Sequence, residues 1–162
     1  THLAKNASAR LDVDDEALNP LVGSLLDFWH ENRLDTGLPD RNAFDPARMT
    51  DWLGYISVYE YVPAKDDFRN RLEGSYVADL TGENWTGQCA SAVDAKFGGR
   101  FLTELQEIRR TRMPSVDLIQ VFQNDYGMAI RAMLPVSSTS TGEADQIFVA
   151  IFANGFRPPN GP

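Results

Sequence analysis

Three glycines within seventeen residues are the first candidates for a chemical site. The stretch from Arg71 to Gly87 reads RLEGSYVADLTGENWTG, with hydroxyl side chains close to its glycines, as in loops that hold phosphate. A nucleotide-binding loop needs closely set glycines that open a helix, as in GxGxxG. Here Gly74, Gly82 and Gly87 are eight and five residues apart, and the stretch contains no lysine. The spacing therefore argues against a phosphate loop and predicts that these glycines end strands and short helices.

Metal binding or nucleophilic catalysis would depend on very few side chains. The chain has two histidines, His2 and His30, and one cysteine, Cys89. A zinc site needs three or four protein ligands, and a Ser-His-Asp or Cys-His nucleophile would have to use His30 as its base. We therefore predict no metal site, no catalytic residue and no enzymatic activity, and the residues point to no particular cofactor.

The charge of the chain limits its partners. Among 162 residues, Asp and Glu outnumber Lys and Arg by 23 to 15, which gives a net charge of −8. Nucleic acid and anionic membrane surfaces both attract proteins that present Lys and Arg. No apolar run approaches the ~20 residues that cross a bilayer, and a single cysteine suits a reducing compartment. We expect a cytoplasmic protein that binds neither nucleic acid nor membrane.

Any site would be positioned by a single domain. Residues 1–18 are polar and aperiodic and are predicted to form a flexible acidic arm. One domain is predicted over 19–156, followed by an irregular tail over 157–162.

The domain begins with helical signals. Asn19-Pro20 is a strong helix start, because Asn caps free amides and Pro at the first helical position loses no hydrogen bond. A wide apolar stripe predicts that this helix continues to about Arg33. Asp45-Pro46 repeats the start signal, and the apolar residues that follow predict a second, shorter helix.

From residue 55 the apolar period changes to two, which is typical of strands. YISVYEYV predicts a first strand, and a polar turn leads to a second one around 68–73. Short helices are predicted at 76–80 and 91–96, and an amphipathic helix over 97–112. Three strands follow, of which the last, IFVAIFANGF, is almost continuously apolar and is expected to be central in its sheet. Helices grouped between strands that pair by tight turns indicate the α+β class.

Five short motifs follow one another in an order that resembles a known family. They are LPDRNAFDP at 38–46, RLEGS at 71–75, GENWTG at 82–87, NDYG at 124–127 and LPV at 134–136. Over about residues 20–156 the chain resembles the divergent bacterial, stand-alone members of the PAS domain superfamily.

The resemblance implies both a fold and a role. The fold would be a PAS-like five-stranded antiparallel sheet in the order 2-1-5-4-3, with helices on one face and an extra N-terminal helix. The role would be that of a sensory or protein-interaction module in bacterial signalling, with a small noncovalent ligand between sheet and helices. The resemblance also implies a homodimer and a signalling protein partner, because no effector sequence is attached.

Nine side chains are predicted to line such a ligand pocket. They are Arg71, Tyr76, Trp85, Phe97, Phe101, Leu105, Met128, Ile130 and Phe152. Arg71 is the charged member of the set. It would contact a ligand carboxylate or, in the interpretation we favour, brace the helix start at Asp45 by a charge-assisted hydrogen bond.

Two other functions compete with this one. A small α+β cone enzyme of the ketosteroid-isomerase or cyclase type needs an aspartate base and an oxyanion donor in an apolar pocket. Asp117 with Tyr55, Tyr59 or Tyr61 offers the required residue types. Alternatively, the chain is an interaction domain whose core is filled and takes no ligand.

Overall fold

A computed structural model describes residues 8–10, 19–121, 127–139 and 141–153 of the chain. We number its helices and strands in chain order. They are β1 (Ser8–Arg10), α1 (Pro20–Glu31), β2 (Ile56–Val62), β3 (Asp67–Leu72), α2 (Ser75–Thr81), α3 (Ala90–Phe97), α4 (Phe101–Thr111), β4 (Ser115–Val121), β5 (Gly127–Val136) and β6 (Gln146–Ala153). Within the described residues, no helix is long and apolar enough to cross a membrane.

One antiparallel sheet contains all of these strands, in the order β1-β4-β5-β6-β2-β3. The five predicted strands are β2 to β6, and their order is the predicted 2-1-5-4-3. The last strand, β6, lies between β5 and β2, with Ile147 opposite Pro135 on one side and Tyr59 on the other. The α+β class, the strand order and the central position of the last strand are therefore confirmed.

A sixth strand extends the predicted sheet. β1 pairs antiparallel with β4, where Ser8 lies opposite Ile119 and Arg10 opposite Asp117. These residues belong to the segment predicted as a flexible arm, whose polar sequence did not indicate a strand. The rest of that arm, most of the turn predicted at 124–127 and the tail after residue 153 lie outside the described residues.

Helix α1 begins where the sequence predicts. The side chain of Asn19 accepts a hydrogen bond from Leu21 N at 3.0 Å, and Pro20 occupies the first helical position. The helix ends at Glu31, two residues before the predicted Arg33. Its Trp29 is fully buried and donates Nε1–H to the carbonyl of Pro135 at 2.8 Å, which ties α1 to β5.

Two other helix predictions need correction. The second helix, predicted after Asp45-Pro46, is replaced by two short 3-10 turns, Pro46–Arg48 and Leu53–Tyr55. The backbone bonds there, such as Met49 N to Pro46 O and Trp52 N to Met49 O, join residues three apart. Each piece has three residues, which is too short to form the backbone hydrogen bonds between residues four apart that define an α-helix. Met49 and Trp52 nevertheless point inward, as their apolar character indicates.

The helix predicted over 97–112 is broken near its start. Phe97 is the last residue of α3, and Gly98 follows with a φ of 75°, a left-handed conformation that ends a helix. Helix α4 begins at Phe101, where the Asp94 carboxylate accepts hydrogen bonds from the backbone amides of Phe101 and Leu102 at 2.8 and 2.9 Å. The glycine and this side-chain cap explain the division.

Helices cover both faces of the sheet. We call the face under α1 the outer face. Its buried side chains are Ile56, Val58, Val116, Ile130, Ala132, Leu134, Val136, Phe148, Ala150 and Phe152. The opposite, inner face lies under α3 and α4. Its buried apolar side chains are Tyr59, Phe68, Met133, Ile147 and Val149. The extra N-terminal helix and the inner-face helices therefore build separate cores on the two sides of one sheet.

Candidate functional site

An open cleft lies where α2 approaches the sheet. It has a volume of about 310 Å³ and is lined by Tyr55, Tyr76, Asp79, Leu80 and Ile151. We call it the Tyr55–Tyr76 cleft. Its lining is apolar or aromatic except for one carboxylate, the composition expected of a small-ligand site.

Two tyrosines form one wall of the cleft. The rings of Tyr55 and Tyr76 stack with centroids 4.8 Å apart and an interplanar angle of 32°, and Phe152 backs Tyr55 at 4.9 Å. Tyr76 is 55% exposed, which is unusual for so large an aromatic side chain. The buried Phe152 fixes one ring from behind, whereas the other presents its free side to solvent.

Glycines allow α2 to sit this close to the sheet. A Cβ added at Gly54 would lie 2.6 Å from Cδ2 of Tyr76, and one added at Gly74 would lie 2.5 Å from the carbonyl oxygen of Gly54. Gly74 precedes the first residue of α2, and Gly82 ends that helix with a φ of 84°. Gly82 therefore ends a helix and Gly74 follows a strand, as the spacing predicts, while the contacts at Gly54 and Gly74 also allow the tyrosine wall to pack closely.

Three of the residues that line the cleft lie on one side of α2. Tyr76, Asp79 and Leu80 are three and four residues apart on α2, so they share one side of the helix. Ile151 reaches the cleft from β6, where the strand order places it next to the start of β2. The cleft thus joins three separate segments of the chain.

A second group of polar side chains is buried on the inner face. Asn70 Nδ2 donates to the hydroxyl of Tyr59 at 3.2 Å and to Glu73 Oε1 at 2.8 Å, and Ser57 donates to the same carboxylate oxygen at 2.6 Å. Burial and, secondly, the nearby Glu73 charge raise the pKa of Tyr59 well above its ordinary value. The phenol is therefore held neutral and cannot serve as a base near neutral pH.

Two buried polar atoms at this end have no hydrogen-bond partner within the described residues. They are Oδ1 of Asn70 and Nε1 of Trp85. The segment that follows α2 runs along β3, where the backbone N–H of Asn70 donates to the carbonyl of Gln88 at 2.8 Å. Trp85 itself packs 5.9 Å from Phe97, measured between ring centroids. A buried donor or acceptor without a partner lowers the stability of the fold.

A buried ionic group connects α4 to the sheet. Arg131 Nη2 donates to Asp117 Oδ2 at 2.7 Å and to Glu104 Oε1 at 2.9 Å. The side chains of Arg131 and Asp117 are only 7% and 6% exposed. Arg131 lies on β5 at the register position of Ile151, which lines the Tyr55–Tyr76 cleft. The cleft and α4 are therefore linked through neighbouring positions of two strands.

The space between α4 and the middle of the sheet is filled. Leu105 and Ile108 of α4 pack on Met133, Ile147 and Val149, and each of these side chains is at most 2% exposed. A ligand could enter here only by displacing them. The geometry thus favours the edge at α2, rather than the region under α4, as the place for a ligand.

The structure distributes the predicted pocket residues over several places. Tyr76 lines the cleft, Trp85 and Phe97 contact each other, and Phe101 packs edge-on against Tyr59 at 5.0 Å. Leu105 is buried on the inner face, whereas Ile130 and Phe152 are buried on the outer face. Met128 lies in β5 opposite Gln120, and its side chain is outside what the structure describes. The nine side chains do not converge on one cavity, and their role in ligand binding stays a prediction.

The bracing role predicted for Arg71 is wrong. Its guanidinium pairs with Glu60 across the β2–β3 ladder and is more than half exposed. Asp45 instead caps its own turn by accepting from Ala47 N at 2.7 Å. Arg41, three residues before Phe44, donates to the carbonyl of Phe44 at 2.6 Å and braces the same segment.

The residues of the alternative enzyme do not meet at a common point. Tyr59 is on β2 and Asp117 on β4, three strand spacings away, or about 14 Å at ~4.8 Å per spacing. Asp117 is also bound to Arg131. Within the described residues, no group of three or more His, Cys, Asp or Glu side chains could hold a metal ion.

Asp79, Leu80 and Ile151 were not among the residues predicted from the sequence. Asp79 and Leu80 follow Tyr76 by three and four residues, so the predicted short helix could have indicated that they share its side of the helix. Ile151 had no local signal, because its approach to α2 depends on the strand order.

Comparison with known proteins gave one match. The family model described as PAS domain matches residues 19–140. No curated protein and no solved structure matched the chain.

Proposed function

Because the chain belongs to the PAS domain family, we propose that it is a sensory module of bacterial signalling that binds a small noncovalent ligand in the Tyr55–Tyr76 cleft. The family supports a sensory or interaction role. The bacterial, divergent and stand-alone character that the motifs at 38–46, 71–75 and 82–87 suggest belongs to the same proposal, as does the absence of an enzymatic activity.

The cleft is the observation that carries this proposal. It combines a half-exposed aromatic wall, aliphatic side chains and one carboxylate within about 310 Å³. Tyr76 belongs to the pocket set predicted from the sequence, and the glycine contacts at Gly54 and Gly74 hold its helix against the sheet. An open, partly preformed site of this kind suits a small ligand that exchanges with solvent.

The proposal is tested with the purified full chain. A metabolite panel is screened by thermal shift and by native mass spectrometry, for the wild type and for Tyr76→Ala. Leu34→Ala is the matched control, because Leu34 is a similarly exposed apolar side chain that does not line the cleft. We expect ligands whose stabilising effect is lost in Tyr76→Ala and kept in Leu34→Ala. Ligands unaffected by Tyr76→Ala, or none at all, would contradict the cleft as the binding site.

The quaternary state and location extend the proposal. We expect a homodimer and a signalling partner in the cytoplasm, as inferred from the sequence. The apolar face of α1 packs on the chain's own sheet, so α1 has only its polar side left for such a dimer. Light scattering over a range of protein concentrations tests the dimer, and a constant monomer mass would contradict it.

An interaction domain without a ligand is the second candidate. The filled space between α4 and the sheet favours it, because buried Leu105, Ile108 and Val149 occupy the region predicted for a ligand. A negative ligand screen combined with specific retention of a partner protein would support this function over sensing.

A further inference from the structure

The Tyr55–Tyr76 cleft contains one charged side chain, and that charge is unpaired. Asp79 lies on the exposed side of α2, and its carboxylate has no hydrogen-bond or ion-pair partner in the described part of the chain. Because Tyr76 and Leu80 share its side of the helix, the carboxylate stands at the rim of the aromatic wall. A ligand in the cleft would therefore meet a negative charge beside the free face of the Tyr76 ring.

Two cations on elements beside the cleft are already bound to carboxylates. Arg131 occupies the register position opposite Ile151, and its guanidinium already donates to Asp117 and Glu104. Glu83, which lies just beyond the end of α2, pairs with Lys96. An anionic ligand would be repelled by Asp79 and would find Arg131 already occupied.

The aromatic wall attracts the opposite charge. The faces of tyrosine rings carry negative electrostatic potential and bind ammonium or guanidinium groups within about 6 Å. Leu80 and Ile151 supply an apolar surface for the carbon part of a ligand. Building on the proposed function, we propose that the cleft selects a small amphiphilic cation, an organic ammonium with an apolar body.

The test compares three ligands of nearly equal size and different charge. Benzylammonium, benzyl alcohol and benzoate are titrated into the full chain near neutral pH and followed by the backbone amide resonances of Gly54, Gly74 and Gly82, which flank the cleft. We expect benzylammonium to bind about tenfold more tightly than benzyl alcohol, from one cation–π contact and one exposed ion pair. Benzoate should bind most weakly.

Two matched variants assign the preference to one carboxylate. In Asp79→Asn the preference for benzylammonium over benzyl alcohol should disappear while binding of the alcohol persists. Asp27→Asn, at an exposed position of α1, removes an equal charge away from the cleft and should keep the preference. Because both positions are exposed, neither change should unfold the chain.

The outcomes separate this inference from the proposed function. Equal affinity of the wild type for benzylammonium and benzyl alcohol overturns the charge selectivity and leaves a ligand-binding cleft. An unchanged preference in Asp79→Asn also overturns it. If none of the three probes shifts the cleft amides, both the inference and the proposed cleft fail.

Discussion

The two faces of the sheet bury side chains of different chemistry. On the outer face, the buried side chains that β2, β5 and β6 present to α1 are aliphatic or aromatic. The inner face mixes its apolar side chains with buried polar and charged ones. These are Ser57, Asn70, Ser115, Asp117 and Arg131. The same alternation of residues along each strand thus produces one uniform and one mixed layer.

This difference in buried side chains gives the two faces different energetic roles. A large apolar side chain stabilises the fold by about 1.5–3 kcal/mol when it is buried. A buried ion pair adds little over an apolar replacement, yet it is expensive to break. The outer face therefore contributes mainly to the stability of the fold. The inner face contains polar groups whose contribution to stability depends on their pairing, their protonation or a neighbouring ligand.

Breaking the ionic group should have the largest effect. Arg131→Met removes the cation that Asp117 and the partly buried Glu104 both contact, and we expect a loss of about 3–5 kcal/mol in the free energy of unfolding. Chemical denaturation monitored by circular dichroism gives this value.

A matched control distinguishes charge from packing. Replacing the whole group, as Arg131→Met with Asp117→Leu and Glu104→Met, should restore most of the loss, because no buried charge then remains unpaired. A single Arg131→Met variant as stable as the wild type would show that the inner face tolerates unpaired charge.

Two leucines on the helices that cover the two faces allow the stabilities of the two cores to be compared. Leu25 of α1 and Leu105 of α4 are both fully buried. We expect Leu25→Ala and Leu105→Ala each to lower the free energy of unfolding by about 3 kcal/mol, within the usual range for a buried leucine. Both should unfold in one cooperative transition, because the two cores share one sheet.

Hydrogen exchange tests whether the faces are coupled. If Leu25→Ala increased exchange in α1 alone and left the global midpoint unchanged, α1 would be a separately docked element. The two faces would then differ in how cooperatively they unfold, as well as in the chemistry of their side chains.

The pH-dependent effect expected at Tyr59 is the smallest near neutral pH, because it develops only in alkali. Burial and the Glu73 charge raise the pKa of its hydroxyl above the ordinary value of 10.0, so the folded state keeps this proton at pH values where the unfolded chain loses it. The associated stability is complete below pH 10 and decreases above it, by about 1.4 kcal/mol per pH unit.

Tyr59→Phe should remove this component of the pH dependence. Its free energy of unfolding should decline less steeply above pH 10 than that of the wild type, as measured by denaturation at several alkaline pH values. Identical slopes would mean that the Tyr59 hydroxyl titrates in the same range in both states.

Local signals in the sequence predicted most of the fold. The Asn19-Pro20 cap, the alternation that begins at Ile56 and the apolar run of the last strand each match an observed element. The predictions failed where a glycine or a side-chain cap interrupts the periodic pattern of apolar residues. The Asp94 carboxylate, for example, caps α4 across Gly98 and divides a helix that the apolar spacing had joined.

The candidate site was less predictable than the fold. Tyr76 was identified as aromatic and near short helices, but Ile130 and Phe152 were assigned to the same pocket although they face α1. Residue type cannot distinguish the two faces of a strand that is buried on both sides, because both carry apolar side chains.

By itself, the sequence determined the elements, the α+β class and the family, because caps, periodicity and turn residues act over a few neighbouring positions. Only the tertiary structure decided which face each apolar residue joins, and that Arg71 pairs with Glu60 rather than with Asp45. It also decided that Tyr55, α2 and Ile151 meet in one cleft. These contacts join residues far apart in the chain, and their partners are selected by strand order and by the close approach that Gly54 and Gly74 permit.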